Sequence, residues 1–150
     1  MNTSRVDYAI YDQLGQLRAV AEAKRKSGTS TEWARNWFRN SLAHGKPVPS
    51  YLLLATPDRI YLWRTQPSGE TPSSPYEMNA VDVFSDYFHR SHLRPAQTSP
   101  QAFELIVGSW LNDLLGDRWE PSKIEQRKTL IESGFLDAVK NGRVESGVAA

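Results

Sequence analysis

Val6, Tyr8 and Ile10 alternate with Asp7, Ala9 and Tyr11, the period of two that a half-buried strand requires. Leu17 to Ala23 predicts a second, more central strand, and the polar turn around Gly15 makes the two a hairpin. Thr29 followed by Glu32 matches a capping box, and Trp33, Ala34, Trp37, Phe38 and Leu42 then form one helical stripe. Gly45 and Pro47 end that helix. The short apolar run Tyr51–Ala55 predicts a buried strand. Thr56-Pro57-Asp58-Arg59 turns the chain into another, Ile60–Arg64.

Residues 66–75 are rich in proline, serine and threonine without periodicity, which predicts a loop. Beyond it the period lengthens to that of helices. Val81, Phe84, Tyr87 and Phe88 make one stripe. Ser99 as N-cap and Pro100 in the first turn open another, Phe103, Ile106, Val107, Trp110, Leu111, Leu114 and Leu115, which Gly116 closes. Residues 121–140 carry Ile124, Leu130, Ile131, Phe135, Leu136 and Val139, with Gly134 as a break, and the tail from Arg143 is expected to fray. The organisation expected is one α/β domain over 1–150: a strand–strand–helix–strand–strand core over 1–65, a loop over 66–80, and a helical part over 81–142 packed on a mixed sheet.

Composition narrows the classes. The 150 residues suit a single domain able to bury a core. A net charge of +1 gives no global basic field, so any nucleic-acid contact needs a local patch. The absence of cysteine removes disulfides, thiol catalysis and thiolate metal sites. No apolar run approaches the roughly 20 residues of a membrane helix, and the N-terminus lacks a signal-peptide pattern, so a cytoplasmic protein without a membrane partner is expected.

The opening hairpin carries the candidate chemistry. If the turn is symmetric about Leu14 and Gly15, facing residues have numbers that sum to 29, and Asp7 lies opposite Glu22. Facing side chains have Cβ atoms about 4.5–5.5 Å apart, close enough to share a cation. Lys24 follows on the same face, roughly 7 Å along the strand. A three-residue Gln13-Leu14-Gly15 loop would instead make the sum 28 and send Asp7 and Glu22 to opposite faces. Two close carboxylates repel unless a cation arrives. Mg²⁺ or Mn²⁺ accepts such hard oxygen ligands, can polarise a phosphate and lowers the pKa of bound water. Lys24 would position that water or neutralise charge on the phosphate. A Glu-x-Lys triplet by itself also arises by chance or as a solvated strand face.

The combination resembles the PD-(D/E)XK, or restriction-endonuclease-like, nuclease superfamily. More narrowly, Asp7-Tyr8-Ala9-Ile10, Gly15, Val20–Lys24 and Tyr51–Trp63 are similar to the nuclease domain at the N-terminus of type I restriction enzyme subunits and its stand-alone relatives. The likeness covers about residues 5–64. It implies a DNA-cleaving, metal-dependent hydrolase with Asp7 and Glu22 as metal-binding acids and Lys24 as the catalytic lysine. It also implies a restriction-endonuclease-like sheet shortened at its N-terminal side. The family core begins with a helix, often bearing another acid, and a first strand, yet only six residues precede Asp7. The C-terminal helices, a partner chain or an upstream segment would have to supply them. The Gln and Tyr that those restriction-enzyme relatives often place on the next helix are here Arg35, Asn36, Arg39 and Asn40. The alternative function is a catalytically degenerate relative that binds nucleic acid or protein.

Around this centre, Lys24-Arg25-Lys26 is a basic cluster suited to phosphates, and Arg35 and Arg39 on one helix face would join it as nucleic-acid contacts. Solvated side chains explain the same residues. His89 and His92 are spaced for one helix face but lack a third ligand, and Asp82 and Asp86 are explained by helix solubility. The tryptophans fall mostly within apolar stripes, as core residues do. An incomplete sheet edge would suit a homodimer.

Overall fold

The computed structural model describes residues 6–42, 49–65, 74–119 and 124–147. Its strands are β1 (Tyr8–Tyr11), β2 (Leu17–Ala23), β3 (Tyr51–Ala55), β4 (Arg59–Arg64), β5 (Tyr76–Asn79) and β6 (Arg143–Ser146). Its helices are α1 (Thr31–Leu42), α2 (Ala80–Arg90), α3 (Pro100–Leu115), α4 (Ile124–Glu132) and α5 (Phe135–Val139). The six strands form one mixed sheet in the order β5-β4-β3-β2-β1-β6. β2 and β3 run parallel, joined through α1; every other neighbouring pair is antiparallel. The chain is therefore α/β, with its helices concentrated in the C-terminal half.

Alternation along the strands divides the core between two faces. Leu52, Leu54, Tyr61 and Trp63 meet Ala34 and Phe38 of α1 on one face. Phe38 stacks on Trp63 with ring centroids 4.7 Å apart. The other face, with Tyr8, Ile10, Ala19, Ala21, Leu53, Ile60 and Leu62, is covered by α2 to α5. β3 is buried along its whole length, as expected of a strand covered on both faces.

Several expectations are corrected. Thr29 does not cap α1: Ser30 does, its Oγ accepting from Trp33 N at 3.1 Å, while Thr29 bonds the Tyr61 hydroxyl at 2.9 Å. β5 lies inside the segment expected to be loop; as an outer strand with only Met78 buried, it leaves no apolar alternation to read. Val81 is 56% exposed, and Ala80 and Val83 take its place in the α2 stripe. His92 lies beyond the end of α2 at φ 56°, so it shares no helical face with His89. The tail does not fray at Arg143: β6 pairs with β1 from Tyr8–Ser146 to Tyr11–Arg143. The expected stop at Gly45 and Pro47, and residues 66–73 of the expected loop, lie outside the described residues. Among the described residues no helix is long and apolar enough to cross a membrane.

Candidate functional site

The register of the β1–β2 hairpin is settled by two irregularities. Asp12 pairs backbone to backbone with Gln16 and accepts from Gly15 N at 3.0 Å, leaving Gln13, Leu14 and Gly15 as a three-residue loop. Gly15 sits at φ 82°, the left-handed conformation that this loop reserves for glycine. The Asp12 carboxylate holds the loop by accepting from Leu14 N and Gln16 N, both at 2.9 Å. Tyr11 accordingly pairs with Leu17, a sum of 28. Ile10 then pairs with Ala19, leaving Arg18 as an extra residue, a β-bulge. Beyond it Ala9 pairs with Val20 and Tyr8 with Ala21, so the sum is 29. The symmetric turn is thus wrong and the register it implied is right, because the bulge restores it.

One further step along that register sets Asp7 opposite Glu22. Asp7 Oδ2 accepts from Ala23 N at 2.8 Å, which fixes its carboxylate beside the end of β2. Its backbone oxygen accepts from Gly147 N at 3.0 Å, tying the same residue to the end of β6. Lys24 is exposed just past β2, its backbone N donating to Ala55 O at 2.9 Å. The site therefore lies at the carboxyl ends of the parallel pair β2 and β3, where open α/β sheets commonly place ligands.

A third acid joins them that the sequence did not single out. Glu104, in the second turn of α3, lies beside Asp7 where the Tyr8 side chain reaches α3. The Tyr8 hydroxyl donates to Glu104 O at 2.6 Å, and four residues on, Gly108 lies so near the Tyr8 ring that a Cβ would collide with it. The apolar stripe from Phe103 to Leu115 predicts that α3 packs on the sheet, but neither which strand it crosses nor that residue 104 reaches the start of β1.

The electrostatics follow from the crowding. Burial, then a hydrogen bond with Asp7 and its charge, raise the Glu22 pKa to about 8, against the pull of Lys24. For Glu104 the hydrogen bond with Asp7 comes first, then burial and the Asp7 charge, giving about 7, again opposed by Lys24. Burial, helped by the charges of Glu104 and Asp7, raises Tyr8 to about 12. Asp7 is thus the hub, touching an acid on either side, with Lys24 as the cation that acts on both glutamates.

The basic candidates divide. Arg25 and Lys26 are exposed beside Lys24, and Lys26 Nζ stands 5.9 Å from the Trp33 ring centroid. Arg35 is only partly exposed, and its Nη2 donates to Ser74 Oγ at 3.1 Å, just ahead of β5. With β3 and β4 between β2 and β5, that places its guanidinium roughly 14 Å across the sheet from the β2 axis. Arg39, one turn later, is exposed. Of the four, Arg25 and Lys26 directly follow Lys24 in the chain.

Among the described residues no group of three or more histidine, aspartate or glutamate side chains is arranged to hold a metal ion. The acids form a row, with Glu22 and Glu104 each beside Asp7, rather than a cage. The donor set nonetheless fits Mg²⁺ or Mn²⁺ chemically, since Mg²⁺ is usually held by one or two carboxylates with water and substrate phosphate completing its shell. Asp7 and Glu22 would hold it, with Glu104 as the adjoining acid. No protein-family model matches the chain, and no curated protein or solved structure matches it either.

Proposed function

We propose that this chain is a metal-dependent nuclease domain that hydrolyses phosphodiester bonds of DNA. The observation that carries the reading is the convergence of Asp7, Glu22 and Glu104 at the end of β2, with Lys24 beside them. The restriction-endonuclease-like resemblance asks for a helix-borne acid and a further strand next to the Asp7 strand. Here α3 provides Glu104 and β6 pairs with β1, which supports that reading from the C-terminal side of the chain.

Mg²⁺ or Mn²⁺ would supply a Lewis acid for the phosphate and an acidified water. The chain's own contribution is positional. Asp7 and, once deprotonated, Glu22 offer hard oxygen ligands, and the Ala23 amide holds Asp7 in place. Lys24 orients the attacking water or neutralises charge developing on the phosphate oxygens. Arg25 and Lys26 contact neighbouring phosphates, which position DNA without reading its sequence. A homodimer is not part of this proposal: on the outer strand β6, Arg143 and Glu145 are exposed and paired at 3.0 Å, the charged kind of edge that resists strand addition.

Incubation of plasmid and single-stranded DNA with Mg²⁺ or Mn²⁺ tests the reading. Cleavage is expected from the wild type and a loss of at least about 100-fold from Lys24→Ala and Glu22→Ala, within the usual weight of a positioned proton-transfer group. Among the described residues no three acids form a preformed cage, which favours one second reading, a non-cleaving nucleic-acid-binding relative. Metal-independent DNA binding without cleavage would select it.

A further inference from the structure

The opposite end of the β1–β2 hairpin concentrates positive charge. A cleft of about 430 Å³ opens there, lined in part by Asp12, Arg18, Tyr51, Arg64, Asp137 and Lys140. Strict alternation would send residue 18 to the α1 face with Val20 and Glu22. As the bulged residue, Arg18 instead lines the cleft with Tyr51 and Arg64, cross-strand partners on the other face. Both guanidinium groups act on the Tyr51 phenol: burial raises its pKa, and Arg64 and then Arg18 lower it. Tyr51 itself is held by donating to Ser133 O at 2.8 Å.

These cations are unspent. Among the described residues none of Arg18, Arg64 and Lys140 forms an ion pair. Arg18 Nε is shut away from solvent without an acceptor, so nothing there offsets the charge of its guanidinium. Of the two carboxylates named in the cleft, Asp12 gives Oδ1 to the turn amides of Leu14 and Gln16. Three cations against Asp12 and Asp137 leave a net charge of +1.

We propose that this cleft binds a phosphoryl group, its oxygens accepting from the Arg18 and Arg64 guanidinium groups and the Lys140 ammonium. Guanidinium forks match phosphate oxygens in pairs, and a dianion more than offsets the residual charge. The volume lies in the range of small-ligand sites, so it admits a nucleotide as well as phosphate alone. Arg18 and Glu22 are four residues apart on β2, roughly 13 Å. The site is therefore separate from the acids and stands whether or not they cleave DNA.

Calorimetric titration at low ionic strength with inorganic phosphate, adenosine monophosphate and a 5′-phosphorylated oligonucleotide tests it. One ligand per chain is expected, with affinity lowered at least tenfold by Arg64→Gln and by Lys140→Gln. Arg94→Gln, which removes an exposed charge outside the cleft, should leave it unchanged. Equal affinity for phosphate and the monophosphate would assign the source to the free ion, and tighter binding of either larger ligand would assign it to a nucleotide or strand end. No binding of any of the three, or equal binding by Arg64→Gln and wild type, would overturn the proposal.

Discussion

Glu22 keeps its proton to unusually high pH through burial and then its contact with Asp7, and Glu104 through its hydrogen bond with Asp7 and then burial, with Lys24 opposing both. For a carboxyl whose folded pKa lies above its unfolded value of 4.5, the neutral form is the one the fold favours. Its contribution is complete below about pH 4.5 and is lost as pH rises through about 7 for Glu104 and about 8 for Glu22. The metal-free protein should therefore melt at progressively lower temperature between about pH 4.5 and pH 8. Glu22→Gln, uncharged throughout, should flatten that slope, and a Tm independent of pH in the wild type would contradict the burial and crowding of Glu22. Glu104 makes a separate prediction. If it belongs to the centre, Glu104→Gln should lower DNA cleavage by at least about tenfold with little change in Tm, whereas Glu125→Gln, exposed on α4, should change neither.

At the level of elements, the hairpin and α3 decide whether these acids meet. The strands β1 to β4 and the helices α1 and α3 were legible because apolar spacing and turn residues agree there, and Ser99 does cap α3, accepting from Ala102 N at 3.1 Å. The Asp7–Glu22 pairing was legible only as one of two registers. A bulge has no signature in residue type, and Arg18 looks like any strand residue. Glu104 was not legible at all, since nothing local tells a helix which strand it crosses. The contact that sets it is Gly108 on Tyr8. Gly108→Val should cost about 1–3 kcal/mol through overpacking, roughly 2–12 °C in Tm for a chain of this size, and should weaken cleavage by displacing Glu104. Ser109→Val, one residue on and exposed, should do neither. Equal Tm for the two variants would show that α3 does not rest on Tyr8.

Across the whole molecule, the two ends of the described chain meet beside the site: Tyr8 pairs with Ser146, and Gly147 bonds Asp7. β5 and β6 escaped the sequence because outer strands bury little and so carry no apolar alternation; β6 reads Arg-Val-Glu-Ser with three of its four residues exposed. The adjacency predicts that the order of elements can be rotated without harm. A chain opened in the exposed 92–97 segment, with residue 150 joined to residue 1, would run α3-α4-α5-β6-β1-β2-α1-β3-β4-β5-α2. It should fold to a Tm within a few degrees of the native order. Failure of that permuted chain to fold, while the native order folds, would contradict the pairing of β6 with β1.

The central claim is that Asp7 and Glu22, with Glu104 adjoining them, can take a divalent cation, and titration calorimetry with Mn²⁺ at pH 6.0 and pH 8.5 tests it most directly. Binding should be tighter at pH 8.5, where both glutamates are already largely deprotonated, and at pH 6.0 it should release protons into the buffer as the glutamates give them up. Affinity should fall at least tenfold in Glu22→Gln and measurably in Glu104→Gln. Mn²⁺ binding that is absent at both pH values, or indifferent to pH and to both substitutions, would contradict the account.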